Sequence, residues 1–444
     1  MARQMKDSGI EWIDSIPSHW KAIKLCYVTE TIFLGKTPVY FEGENENYTL
    51  GQKNNQQYGL DFAGIKYSTD EHFASCNEHE FLQYGDVLLN SLGTGSVGRI
   101  GYFDITDKRV LTDGHIIVIR ANEQMDARFL FFYLRTLRKK FEDDAVGSTN
   151  QAFLTVPKIY KTPIPFPPLP EQQRIAAFLD RKCAEIDTVI ERTKATIEEY
   201  KKLKQAVITE AVTKGVRGPR PMKDSGIEWI GEIPEGWSIR KLKSFTCMIS
   251  KGATPKDISR EQEETYPIRF LKSENIVDNQ LTMTPEFFIS NDVHVGELKR
   301  SELSCDDILF VIAGASIGKV SLMDATLLPA NTNQAVSFIR ISKDYIAAKR
   351  FIWYVLQSRM MKTYITLFAV QSAQPNMSME DLGDFRMPFA PTTEELAEIV
   401  ALLDKQCAAL DTLIAKKTAL LTELETYKKS LIYEYVTGKK EVTA

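Results

Sequence analysis

Residues 93–98 read Gly-Thr-Gly-Ser-Val-Gly and follow a strand-like run, the arrangement that can cradle a pyrophosphate. A dinucleotide site needs a helix next, and an acidic residue about 20 positions on. Here residues 99–104 look like another strand, and the related string at 313–318, Ala-Gly-Ala-Ser-Ile-Gly, drops two of the three glycines. The reading left is a tight β-turn, of which a turn facing a ligand is the informative version. Residues 314–319 resemble a P-loop but are one residue short, and Val320 stands where Ser or Thr must hold magnesium. The five histidines, His19, His72, His79, His115 and His294, lack metal spacing and read as surface residues. Cys26, Cys76, Cys183, Cys247, Cys305 and Cys407 lie far apart with no Cys-x-x-Cys pair, so neither a disulfide framework nor a zinc knot is expected. No Gly-x-Ser-x-Gly elbow, kinase signature or Asn/Asp-Pro-Pro-Tyr/Phe methyltransferase string occurs; Phe-Pro-Pro-Leu at 166–169 lacks the amide. No catalytic residue and no metal ligand is assigned.

The positions of these strings point to something larger. Residues 5–13 and 222–230 are the same nine residues, Met-Lys-Asp-Ser-Gly-Ile-Glu-Trp-Ile, and Pro17/Pro234 and Trp20/Trp237 also match at an offset of 217. The offset becomes 220 at Ser96/Ser316, Gly98/Gly318 and Arg120/Arg340, and 224 at Asp180/Asp404, Cys183/Cys407 and Asp187/Asp411. Residues 40–81 share little with 257–298, so two similar scaffolds carry two different inserts.

The 444 residues leave room for two to four units. Hydrophobic content of 43% and charged content of 26% suit a soluble globular protein. No apolar run reaches membrane-spanning length, and the first residues lack a secretory core, so a cytoplasmic chain is expected. A net charge of −4 argues against coating nucleic acid by bulk charge; any contact with it must be local.

Short apolar runs bounded by Gly, Asp and Asn (residues 85–92, 114–120, 306–313 and 335–340) read as strands. Residues 129–141 and 346–364 read as helices on those sheets. Pro163, Pro165, Pro167, Pro168 and Pro170, and later Pro388 and Pro391, predict an extended linker before a long helix. Thr392 with Glu395 predicts a capping box, and Pro170 with Glu171 suits a first helical turn. Leu179, Cys183, Ile186, Ile190, Thr193, Ile197, Tyr200, Lys204, Val207 and Ala211 alternate in steps of three and four. Leu403, Cys407, Leu410, Ile414, Lys417, Leu421, Leu424, Lys428, Leu431 and Tyr435 repeat the register. Such a seam predicts two helices packed along their length, with Gly215 and Gly438 as stops. The fold class is α+β. If a two-fold relates the repeats, the helices pair antiparallel; a parallel pairing stays open. The boundaries expected are 1–170, 171–215, 216–391, 392–438 and a tail at 439–444.

Two divergent domains on a rigid spacer suit two readings at a fixed separation, which is how bipartite DNA sites are read. Candidate DNA contacts in the first half are Lys36, Thr37, Gln52, Lys53, Asn54, Asn55, Gln56, Asn90, Ser91, Ser96, Arg99, Asn150 and Gln151. In the second they are Lys251, Thr254, Lys256, Arg269, Lys272, Ser316, Lys319, Asn331, Asn333, Gln334, Gln374 and Asn376. Asn and Gln can read adenine, and Arg and Lys guanine.

The repeated block at 5–20 and 222–237, the Thr-Pro turns at 37–38 and 254–255, and the Asp-Val-Leu-Leu run with its Ser-Val-Gly-Arg turn form a specific combination. With the Pro-Leu-Pro-Glu-Gln-Gln-Arg-Ile lead at 168–175 and the long helix, it resembles the specificity subunit of a type I restriction-modification system along the whole chain. The second lead departs, with Pro-Thr-Thr-Glu-Glu-Leu at 391–396, which could alter one helix start. The resemblance implies two target recognition domains, each reading half of an asymmetric interrupted DNA site, and helices that set the spacer. It implies double-stranded DNA, two methyltransferase subunits and restriction subunits as partners. S-adenosylmethionine, ATP and Mg2+ would be used by those partners, adenine methylation among their reactions, and none bound by this chain. The alternatives are a related restriction system with methylation and cleavage on one partner, or a two-headed protein-binding adaptor.

Overall fold

A computed structural model describes residues 3–56, 59–93, 95–145, 153–305, 307–369 and 375–442. Asn150, Gln151 and Gln374 lie outside the described residues. The chain forms two compact units, Met1–Lys194 with Ala419–Ala444, and Ala195–Thr418.

In the first unit, β1 (Thr29–Leu34), β2 (Val87–Asn90), β3 (Ile100–Tyr102) and β4 (Ile116–Ala121) form an antiparallel sheet in the order β3-β2-β4-β1. Helices α1 (Ala127–Thr136) and α2 (Arg138–Asp144) cover it, and the long helix α3 (Leu169–Lys214) follows. In the second unit, β5 (Thr246–Lys251), β6 (Asp307–Val311), β7 (Val320–Leu322) and β8 (Val336–Ile341) take the same order, β7-β6-β8-β5. Helices α4 (Lys349–Gln357) and α5 (Arg359–Phe368) and the long helix α6 (Thr393–Val436) follow. The expected sheet-covering helices are thus broken in two, at Leu137 and at Ser358, where the chain leaves helical geometry.

The proline segments are more than linkers. Pro163–Phe166 pairs antiparallel with Lys21–Lys24, and Arg386–Phe389 with Ser238–Lys241. Two-stranded ribbons have open edges, so a proline can sit where no N–H is required.

The inserts hide a shared element beneath unlike sequences. Val110–Thr112 runs parallel to Tyr48–Leu50, and Ala330–Thr332 runs parallel to 269–271.

Paired polar contacts occur once in each unit. Asp86 takes two hydrogen bonds at 2.8 Å from Arg120, and Asp307 takes two at 2.8 Å from Arg340. Both carboxylates are fully buried, so removing either arginine leaves an unpaired charge inside the fold. Trp20 Nε1 donates to Glu171 at 3.0 Å, and Trp237 Nε1 to Glu395 at 3.1 Å. Arg3 and Arg220 complete these clasps, each pairing with the glutamate while its guanidinium lies over the indole at 5.3 and 5.2 Å. Glu395 N donates to Thr392 Oγ1 at 3.3 Å, which is the expected cap, but the Glu395 carboxylate turns to Arg220 and Trp237, so only half of a capping box forms. The departure in the second lead leaves the helix start unmoved: Leu169 and Thr393 correspond at the offset of 224.

The long helices pair antiparallel in both units. In the first, Phe178 meets Tyr435 at 4.5 Å between ring centroids, and Lys428 Nζ meets Asp187 at 2.6 Å. In the second, Lys204 Nζ meets Asp411 at 2.6 Å, and Arg217 meets Glu398 at 2.6 Å. Numbers rise along α3 as they fall along α6. Leu179, Cys183, Ile186, Ile190, Ile197, Leu403, Cys407 and Leu410 are buried on the seam as expected; Ile414 and Leu421 are half-buried. Near the end of α3 Ala211 is buried as expected, while Val207 is half-buried and Ile208 and Val212 are buried beside it. Burial pushes the Cys183 thiol up and the Cys407 thiol up to about 11, which suits inert core residues.

Candidate nucleic-acid interface

In an antiparallel sheet of four strands, alternate strand ends share one edge. The C-terminal ends of β1 and β2 and the N-terminal ends of β3 and β4 therefore project their loops together, and the second sheet does the same.

In the first unit this gathers the segments after Leu34, around Gln52, at 91–99 and at 113–115. Asn90 Nδ2 donates to the Gln52 carbonyl at 3.1 Å, Ser96 Oγ to Gln52 Oε1 at 3.4 Å, and Arg99 Nη1 to Gln56 Oε1 at 3.2 Å. Ser91 donates to the His115 carbonyl at 2.9 Å, and Leu154 N to the Ser91 carbonyl at 2.8 Å. Lys36 and Thr37 are exposed beside them, Lys36 paired with Glu80. Lys53 is also exposed.

Several of these candidate DNA contacts are not on the surface. Asn54, Asn55, Asn90 and Ser91 are buried and occupied: Asn54 Nδ2 donates to the Asp61 carbonyl at 2.8 Å and Asn55 Nδ2 to Asn90 Oδ1 at 2.9 Å. They tie the insert to the sheet, and loop-like spelling did not reveal that.

The turn at 95–98 is no nucleotide cradle. It runs straight into β3, and a Cβ on Gly98 would lie 2.9 Å from the Arg138 carbonyl oxygen. Glycine is needed because helix α2 closes over the turn, with φ of +78°. Gly318, with φ of +87°, takes the same left-handed conformation, its neighbour there the flexible end of Ile365.

In the second unit the same edge gathers Lys251, Thr254, Ser316, Lys319, Asn333, Gln334 and Asn376. Thr254 donates to Gln334, and the backbone of Ala313 bridges that of Asn376. Lys251, Thr254, Lys256, Gln334 and Asn376 are exposed, and Ser316, Lys319 and Asn333 half-exposed. Lys319 makes no ion pair among the described residues.

Arg269 and Lys272 stand apart, engaged with aromatics. Arg269 lies over Phe288 and beside Glu286, and Lys272 Nζ is 3.7 Å from the Phe287 ring centre, its pKa pulled down by burial. Asn331 is a core residue, donating to the Leu298 carbonyl at 2.9 Å. It also corrects the reading of His294 as a surface residue. His294 is buried with Nδ1 2.5 Å from Asn331 Oδ1; the amide nitrogen is already used as a donor, so the imidazole Nδ1 carries the proton.

Among the described residues no group of three or more His, Cys, Asp or Glu is placed to hold a metal, and no helix is long and apolar enough to cross a membrane.

The family described as type I restriction modification DNA specificity domain matches twice, over residues 20–199 and 234–425. The type I restriction enzyme MjaVIII specificity subunit of Methanocaldococcus jannaschii is 24% identical over 86% of this chain and 85% of its own. The type I restriction enzyme EcoBI specificity subunit of Escherichia coli is 27% identical over 71% of this chain and 67% of its own. A solved structure concerned with complex assembly and conformational transition of the type I R-M system shares the fold. Its TM-score is 0.67 and its identity 17%, over 96% of this chain and 99% of that one.

Proposed function

The chain belongs to the type I restriction modification DNA specificity family, with the domain present twice, and from that premise we propose that each sheet edge reads one half of an asymmetric, interrupted DNA site. One observation carries this reading: two sheets of identical strand order display different side chains on the same edge. In the first, Lys36, Thr37 and Lys53 are exposed and Gln52, Gln56, Ser96 and Arg99 half-exposed; in the second, Lys251, Thr254, Lys256, Gln334 and Asn376 are exposed and Ser316, Lys319 and Asn333 half-exposed. Lys and Arg position the backbone or read guanine, and the amides read adenine.

The helices α3 and α6 serve as spacer and as docking surface for two methyltransferase subunits, to which restriction subunits add. Catalysis resides in those partners, which use S-adenosylmethionine, ATP and Mg2+. The family membership and the relatives named as specificity subunits support this assignment. Co-expression with the cognate methyltransferase subunit, followed by single-molecule mapping of methylated adenine, tests the reading. An interrupted motif with unlike halves is expected. A palindromic motif, or a stable complex that leaves DNA unmethylated, would overturn it.

A further inference from the structure

After α2 the chain meets the sheet edge of the first unit at Phe153, and after α5 it meets that of the second at Asn376. Phe153 bridges Leu92 antiparallel, and Leu154 N donates to the Ser91 carbonyl at 2.8 Å. Asn376 bridges Ala313 in the same way, and Met377 N donates to the Ile312 carbonyl at 2.9 Å. The two residues are therefore one position of the repeat, at an offset of 223. Side chains alternate along extended backbone, and the next residue, Leu154 or Met377, is buried in both units. The position before it points outward: Phe153 is 46% exposed, and Asn376 is exposed as well.

Both copies lie against the turn that carries candidate DNA contacts. The Leu92 carbonyl accepts from Ser96 Oγ at 2.8 Å, and Ser96 Oγ also reaches Gln52. The Pro375 carbonyl accepts from Gly314 N at 3.0 Å, at the head of the turn holding Ser316 and Lys319. A single exposed phenylalanine is ordinary on a protein surface. The exchange between repeats is what informs. Backbone pairing, buried neighbour and turn are kept in both, while an amide that donates and accepts gives way to a ring that does neither. The scaffold uses this residue's backbone and leaves its side chain to the solvent side of the edge.

We propose that this position reads one base pair in each half-site, and that Phe153 does so by apolar contact with the 5-methyl group of a thymine. The inference rests on the DNA-reading role proposed above. Among the four bases thymine alone presents a methyl group in the major groove, which an aromatic ring can cover, whereas an asparagine amide pairs with adenine. One anchored position then selects thymine in one half-site and adenine in the other, with no change of scaffold.

The test uses the full-length chain assembled with its methyltransferase subunits and duplexes of the motif that methylation mapping gives. Each thymine of either strand is replaced in turn by uracil, which removes the methyl group and nothing else. One thymine is expected whose lost methyl weakens binding by about fourfold in the parent and has no effect in Phe153→Ala. Phe153→Asn installs the residue that the other repeat carries at this place. It should melt as the parent does and change the preferred base at that one position from thymine to adenine, with the other half-site unaltered. If no thymine couples to Phe153, or if Phe153→Ala weakens every duplex equally, the proposal is overturned while DNA reading stands. A parent complex that methylates no motif and binds no duplex would overturn the reading role itself, and this inference with it.

Discussion

Glu171 is shared by three donors, Arg3, His19 and Trp20, and that crowding sets how the first unit responds to acid. Burial alone would raise its pKa; the hydrogen bonds from His19, Arg3 and Trp20 outweigh it and hold the carboxyl below the usual glutamate range. A depressed carboxyl contributes stability that is complete above the unfolded value of about 4.3 and is lost as pH falls through the lower folded value. Glu171→Gln should therefore cost about 1–3 kcal/mol at neutral pH. Urea denaturation across a pH series should show the parent and the variant converging below about pH 4; a constant gap would mean the charge is not what the clasp uses. On the reading edge, Lys319→Ala should weaken DNA binding for every sequence and flatten the log–log salt dependence by about one unit. An unchanged slope would remove Lys319 from the phosphate contacts. Asn54→Ala, by contrast, should destabilise the fold by about 1–3 kcal/mol with sequence preference intact, because its amide is spent on Asp61. Spelling could not separate Asn54 from Asn333, since both sit in polar loops; only hydrogen-bond bookkeeping tells a buried amide from a half-exposed one.

At the scale of elements, regular periodicity was the legible part. The spacing of Leu179, Cys183, Ile186 and Ile190 predicts a seam, and those residues are buried along it. Where the seam meets globular packing, at Ile208 and Val212, contacts with the second unit's core widen the buried face beyond the expected Val207 and Ala211. A heptad pattern serves either direction, so the antiparallel pairing was legible only from the duplication, through the two-fold it suggests. Ion pairs between residues far apart in sequence, Asp187 with Lys428 and Lys204 with Asp411, match that direction. Lys428→Asp should lower stability by about 1 kcal/mol, and adding Asp187→Lys should restore part of it, as read by a double-mutant cycle in thermal melts. A cycle without coupling would leave direction to the apolar seam. The shared parallel strand pair beneath the inserts was also illegible. Three-residue strands carry too little pattern, and their common geometry comes from the neighbours they complete.

For the whole molecule, the ion pairs hold a second implication. α3 carries both Asp187 and Lys204, so two copies of it laid antiparallel can each supply what the other lacks. The apolar positions agree: Ile197, Ile208 and Val212 stand where α6 has Leu421, Ile432 and Val436 at the offset of 224. A fragment ending near residue 218 should therefore sediment as a dimer, and its DNA target, recovered with methyltransferase subunits, should be symmetric. A monomer by analytical ultracentrifugation would show that the long helices recognise each other through differences between the repeats. The duplication was legible at once from nine identical residues; its meaning for assembly needed the pairs.

The division of the chain into units also orders its birth. Residues Ala195–Thr418 form one continuous stretch, whereas Met1–Lys194 waits for Ala419–Ala444 to cover Leu179, Cys183, Ile186 and Ile190. A ribosome releases the N-terminal segment first, yet the last turns of α6 emerge only after the whole of the second unit. The half of the protein that is read second is thus the half that can be finished first, and the first-made half stays open, its apolar helix face in need of shelter, until Leu431, Ile432 and Val436 have emerged.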